Sequence, residues 1–87
     1  MLEKIVRSAV KIYNEALAED VIYTGIRHCD IYERLHNLGY HEAIVRGVEG
    51  FVLNTGKFLT REEAASFAYR NGQLNKKVGV LYSEDLW

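Results

Sequence analysis

Proline is absent from this chain, cysteine occurs once, and neither charge sign predominates. Without proline, turns must rest on the seven glycines and on asparagine, aspartate and serine. The single cysteine, Cys29, excludes a disulfide within the chain and leaves too few thiols for a cysteine-based zinc knuckle. A reducing compartment is the expected setting. The formal charge of -1 lacks the basic excess by which proteins grip nucleic acid through its phosphates, so broad nucleic-acid binding is disfavoured. No apolar run approaches the roughly 20 residues that span a bilayer. No N-terminal stretch combines a basic start, an apolar run and a small-residue cleavage site. The expectation is a cytoplasmic protein with no membrane partner.

What is present fits one domain over residues 1–87, with apolar residues at 48%, enough for one core but not two. The segment from Ile5 to Tyr13 satisfies two templates. As a helix it aligns Ile5, Ala9, Ile12, Tyr13, Ala16 and Leu17 on one stripe; as a strand it alternates Val6, Ser8, Val10 and Ile12 with Arg7, Ala9 and Lys11. Val21 to Thr24 reads as a strand ended by Gly25. Arg27 to Leu38 reads as a helix through Ile31, Tyr32, Leu35 and Leu38, stopped by Gly39. Residues 40–47, with His41 and Arg46, fit no single pattern. Val48 to Leu53, the Asn54-Thr55-Gly56 turn and Lys57-Phe58-Leu59 predict a hairpin with a three-residue loop. Thr60-Arg61-Glu62-Glu63 is a capping box that opens a helix running to Gly72. The apolar run Val78 to Tyr82 suits an edge strand or pairing with a second subunit. Trp87 is expected to dock on the domain or on a neighbouring chain, since an indole gains little at a frayed end.

Several of these residues form a longer pattern: Ile22-Tyr23-Thr24-Gly25-Ile26-Arg27-His28, Gly50-Phe51 through Gly56-Lys57-Phe58, Arg61-Glu62-Glu63-Ala64, Ala68, Gly72-Gln73, and Leu81-Tyr82-Ser83-Glu84-Asp85-Leu86-Trp87. The pattern resembles a family of small phage- and prophage-encoded proteins. The resemblance implies a phage setting, and with it the host cytoplasm, but no particular activity. It also implies that the N-terminus forms a strand, a turn and a second strand. This chain departs from that pattern in its long, helix-prone connection from Tyr13 to Asp20. The fold expected is therefore α+β: an antiparallel sheet of about four strands (5–12, 20–24, 48–53, 57–60) with two helices (27–38, 61–72) on one face. An N-terminal helix replacing the first strand is the alternative. A half-covered sheet and an apolar tail also suit a homo-oligomer.

The expected ligand site is the turn Thr24-Gly25-Ile26-Arg27-His28. Free amides at a helix start favour an anion, Arg27 offers a fork of donors, and His28 offers a donor or acceptor near neutral pH. The alternative there is structural: Thr24 caps the helix, Arg27 is solvated and His28 packs against Tyr32. Arg61 could point into the same cleft, although the capping box already accounts for Arg61-Glu62-Glu63. Ser83-Glu84-Asp85 suits an acidic hook that pairs with Arg27, Arg61 or Arg46. Adjacent helical residues diverge by about 100°, so His28, Cys29 and Asp30 cannot converge on one ion, and no metal or other cofactor is expected. Cys29 suits a small buried thiol. The functional expectation is a non-catalytic protein holding a small anionic ligand such as a nucleotide signal at Thr24, Gly25, Arg27, His28 and Arg61. The alternatives are a module that binds or inhibits a host protein, and a small enzyme using His28 with an arginine on a phosphorylated or nucleotide substrate.

Overall fold

In the first segment the alternating pattern prevails over the helical stripe. In a computed structural model describing residues 2–14, 16–39 and 47–87, Ile5–Asn14 forms strand β1 and Glu19–Gly25 forms β2. β1 is paired on both sides, and its inward residues Ile5, Ser8, Val10 and Ile12 are all buried. Two members of the helical stripe, Tyr13 and Leu17, are each left 59% exposed. The β-branched residues prevail because a central strand buries them on a pleated surface. Between the strands Asn14 Oδ1 accepts from Leu17 N at 3.1 Å, and Ala18 takes a left-handed φ of 54°. The helix-prone connection is thereby a turn.

Strands β3 (Val48–Leu53) and β4 (Phe58–Thr60) complete a four-stranded sheet in the order β2-β1-β3-β4, with every neighbouring pair antiparallel. Asn54-Thr55-Gly56 is the hairpin loop, closed by Leu53 N donating to Lys57 O at 2.9 Å. Helix α1 (His28–Asn37) lays Ile31 and Leu35 over Val10 and Ile12, while helix α2 (Arg61–Arg70) packs Ala64, Ala65 and Ala68 near Phe51, Leu53 and Leu59. The register sets Ser8 beside Phe51 and Phe51 beside Leu59, so both helices cover one face of the sheet. The fold is thus the expected α+β arrangement. The Thr60 capping box is also present, with Glu63 N donating to Thr60 Oγ1 and Thr60 N donating to Glu63 Oε1. That backbone donor, first, and the Thr60 hydroxyl hold the Glu63 carboxyl below its ordinary pKa.

Two departures matter for the site. Residues 78–82 add no strand; they run past the start of α2, where Leu81 N donates to Arg61 O at 3.1 Å, and lead into a third helix, α3 (Ser83–Leu86). The register of β1 also slips between Ile5 and Arg7, a bulge at Val6. There the Gln73 side chain substitutes for a strand. It accepts from Ile5 N at 2.8 Å and donates to Ile5 O at 2.9 Å. Gln73→Ala strands both groups and should cost about 1–3 kcal/mol in urea unfolding.

Candidate functional site

The Gly25-to-His28 turn is folded inward. An added Cβ at Gly25 would lie 2.9 Å from Ile31 Cγ1, so glycine here lets the chain pass close beneath α1. Arg27 is the N-cap and Asp30 supplies the acidic first turn, its Oδ2 accepting from Arg27 N at 3.3 Å. His28 N donates to Ser83 Oγ at 3.1 Å. The helix start therefore carries its own carboxylate and hydroxyl where an external anion was expected. Thr24 does not cap the helix; its backbone oxygen accepts from Arg34.

The His28 side chain is only 6% exposed. Its Nε2 lies 2.8 Å from Gly50 O and its Nδ1 2.6 Å from Ser83 Oγ. A carbonyl can only accept, so Nε2 carries the hydrogen. In the neutral ring Nδ1 then accepts from the Ser83 hydroxyl. Ser8 extends the chain, with its Oγ 2.8 Å from Ser83 Oγ and 2.9 Å from Ile26 O. The ring meets Phe51 edge-on with centroids 5.1 Å apart, while the Tyr32 hydroxyl is directed to Glu49. Burial holds the His28 pKa below the ordinary imidazole value; the nearby Arg61 charge adds to this, while the Gly50 carbonyl and Glu49 oppose it.

Arg27 is exposed, and its Nη2 donates to Trp87 O at 2.8 Å. Trp87 rests against Phe51, with ring centroids 6.4 Å apart. The C-terminal segment is therefore hooked down, but not by the expected carboxylates. Ser83 does so through its hydroxyl and Trp87 through its backbone, whereas Asp85 turns back to accept from Tyr82 N at 2.9 Å. The hook to Arg46 and the segment around His41 lie outside the described residues. Cys29 is exposed, because the helix turns Ile31 and Leu35 inward instead.

Arg61 faces a different set. Its guanidinium pairs with Glu49 Oε2 and lies 4.7 Å over the Tyr82 ring, while the Tyr32 hydroxyl donates to Glu49 Oε1. Burial, with the Glu49 bond and charge behind it, raises the Tyr32 pKa and keeps the phenol a donor. Arg61 and His28 are thus electrostatic neighbours, whereas Arg27 is engaged with Trp87. Ser8, Ser83 and Glu49 were not visible as partners in the sequence. Among the described residues no group of three or more His, Cys, Asp or Glu side chains is arranged to hold a metal ion. None of the described helices is long and apolar enough to cross a membrane.

Among the described residues, open hollows lie on two flanks of α2. One, of about 370 Å³, mixes signs through Glu3, Glu63, Lys57 and Arg70. The other, of about 470 Å³, is lined by Ala65, Ser66, Tyr69, Arg70, Lys77 and Val78 and has no carboxylate in its wall. Arg70 Nε donates to Ser66 O at 3.3 Å, which holds the arginine against the helix flank.

A four-stranded sheet with helices on one face, held down by the segment Ser83–Trp87, defines a small α+β domain. The chain belongs to the phage T4 y16D protein family, whose model matches residues 4–87. No curated protein and no solved structure matches the chain.

Proposed function

We propose that this phage protein is a non-catalytic binding protein for a small anionic ligand, held in the hollow between α2 and the residues that follow it. One observation carries the reading: Arg70 and Lys77 share a wall with the Ser66 hydroxyl, and no carboxylate lines it. Among the described residues neither cation forms an ion pair. Three of the last four carbonyls of α2 are taken, since Asn71 N donates to Phe67 O, Gly72 N to Tyr69 O and Leu74 N to Ala68 O. That reduces the free acceptors that would repel an anion at a helix C-terminus. The Arg27–His28 turn supports the reading less well, because its ring nitrogens and the Arg27 guanidinium have partners of their own. The same engagement of His28 weighs against an enzyme that uses this ring.

Calorimetric titration with inorganic phosphate and pyrophosphate tests the reading. Arg70→Ala and Lys77→Ala should each weaken binding roughly 10- to 150-fold, the scale of one charge-assisted hydrogen bond at about 1.5–3 kcal/mol, and Arg27→Ala should leave it unchanged. Binding lost in Arg27→Ala and kept in the other two returns the site to the turn.

A second reading, a module that docks on a host protein, rests on the sheet face opposite the helices, which none of the described helices covers. Tyr13, Ile22 and Val48 are exposed there around Lys11, whose Nζ sits 4.9 Å over the Phe58 ring. Charge reversal at Lys11 that leaves host-protein capture intact would count against it.

A further inference from the structure

The hollow beside α2 is larger and more apolar on one side than a lone phosphate requires. Resting on the anion-binding reading, we propose that its ligand is a mononucleotide, with the base stacked on Tyr69 and the phosphate held by Arg70 and Lys77. Three observations support this. The volume, about 470 Å³, lies within the range of small-molecule sites, about 300–1,000 Å³. Tyr69 is 47% exposed at the wall, which leaves aromatic surface available there, and among the described residues no ring packs against it. Polar and apolar groups are also segregated along the helix. Ser66 and Arg70 are four residues apart and adjacent on one flank, Tyr69 lies beside them, and Val78 and Ala65 supply the apolar surface.

The chemistry follows from that segregation. A guanidinium and an ammonium recognise phosphate oxygens, one as a planar fork and the other as a point charge. A tyrosine ring accepts any base, because every base has a π-face. The absence of a carboxylate in the wall suits the phosphate, and the only side-chain acceptors left for a base's amino groups are the neutral Ser66 and Tyr69 hydroxyls. The site is therefore expected to take purine and pyrimidine nucleotides with similar affinity, purines gaining from their larger ring.

The test is calorimetric titration of the full chain with the four ribonucleoside 5′-monophosphates, the corresponding nucleosides, ribose 5-phosphate, inorganic phosphate and a five-residue single-stranded oligonucleotide. The monophosphates should bind at least about tenfold more tightly than either the nucleosides or ribose 5-phosphate. Tyr69→Ala should lower monophosphate affinity roughly 5- to 150-fold, the scale of one stacked base. It should leave ribose 5-phosphate affinity unchanged, and Tyr69→Phe should bind as the parent does. Unchanged urea midpoints in both variants exclude a folding effect. Equal affinity for monophosphates and ribose 5-phosphate, or an inert Tyr69→Ala, overturns the nucleotide assignment while leaving anion binding in place. No binding of any phosphate compound overturns both. An oligonucleotide that binds far more tightly than the monomers, with a salt dependence spanning several phosphates, overturns the mononucleotide in favour of a single strand.

Discussion

Gly50→Ala should destabilise the domain by upwards of about 3 kcal/mol, the top of the range for overpacking. Gly50 lies in β3, paired with Ala9 on one side and Thr60 on the other. An added Cβ would sit 2.1 Å from Leu59 O and 2.6 Å from Phe58 Cζ. A ring can turn aside, but Leu59 O is backbone of the neighbouring strand and moves only if β4 does. The same residue offers the carbonyl that binds His28 Nε2, so displacement of β3 reaches the buried histidine as well. Domains of this kind hold about 5–15 kcal/mol in total, which makes the loss a large fraction of the whole. Gly79, with nothing within 4 Å of its Cβ position and no positive φ, is the control. Gly79→Ala should change urea stability by less than about 0.5 kcal/mol.

His28→Ala should cost about 3–5 kcal/mol, combining a cavity beside Phe51 with unmet bonding at Gly50 O and Ser83 Oγ. His28→Phe, which keeps the ring volume, should recover the packing part and still lose about 1–3 kcal/mol through the stranded polar groups. The pH dependence has a definite sign. Burial holds the folded-state pKa of His28 below the ordinary imidazole value of 6.5. Above that value both states are neutral and its contribution is complete. As pH falls below 6.5 toward the folded pKa, the unfolded chain binds the proton first and stability declines. Urea unfolding of the parent should therefore weaken over this window, and in His28→Phe the slope there should be shallower.

The sheet was legible where local chemistry is one-sided. The Thr60–Glu63 capping box and the Asn54-Thr55-Gly56 turn are spelled out by adjacent residues, and both are present. β1 was legible only as a choice, because Ile5, Ala9 and Ile12 satisfy a helix as well as a strand. Pairing to β2 and β3, which no local pattern contains, settles it. The turn at Gly25 was read from the correct elements, a strand end and a helix start, yet its donors meet residues far along the chain. Ser8 and Ser83 are 75 residues apart, and nothing in either neighbourhood marks it as the other's partner. The tail was expected to hook through its carboxylates because charge is conspicuous; the hydroxyl of Ser83 and the backbone of Trp87 make the attachment. Gln73 likewise reads as a polar loop residue until the bulge at Val6 supplies two backbone groups for its amide. The hollow beside α2 needs Lys77 and Val78 brought back against Ser66 and Tyr69, a return that no periodicity announces.

The inward closure of the Gly25–His28 turn rests on the buried His28 ring, and the protonation of that ring reports it. A long-range proton–nitrogen NMR spectrum of His28, followed from pH 8 to pH 4, makes the measurement. The structure predicts the Nε2–H tautomer near neutrality and a midpoint below 6.5. A freely averaging tautomer with an ordinary imidazole midpoint would place the ring in solvent and contradict the Ser8–Ser83–His28 chain.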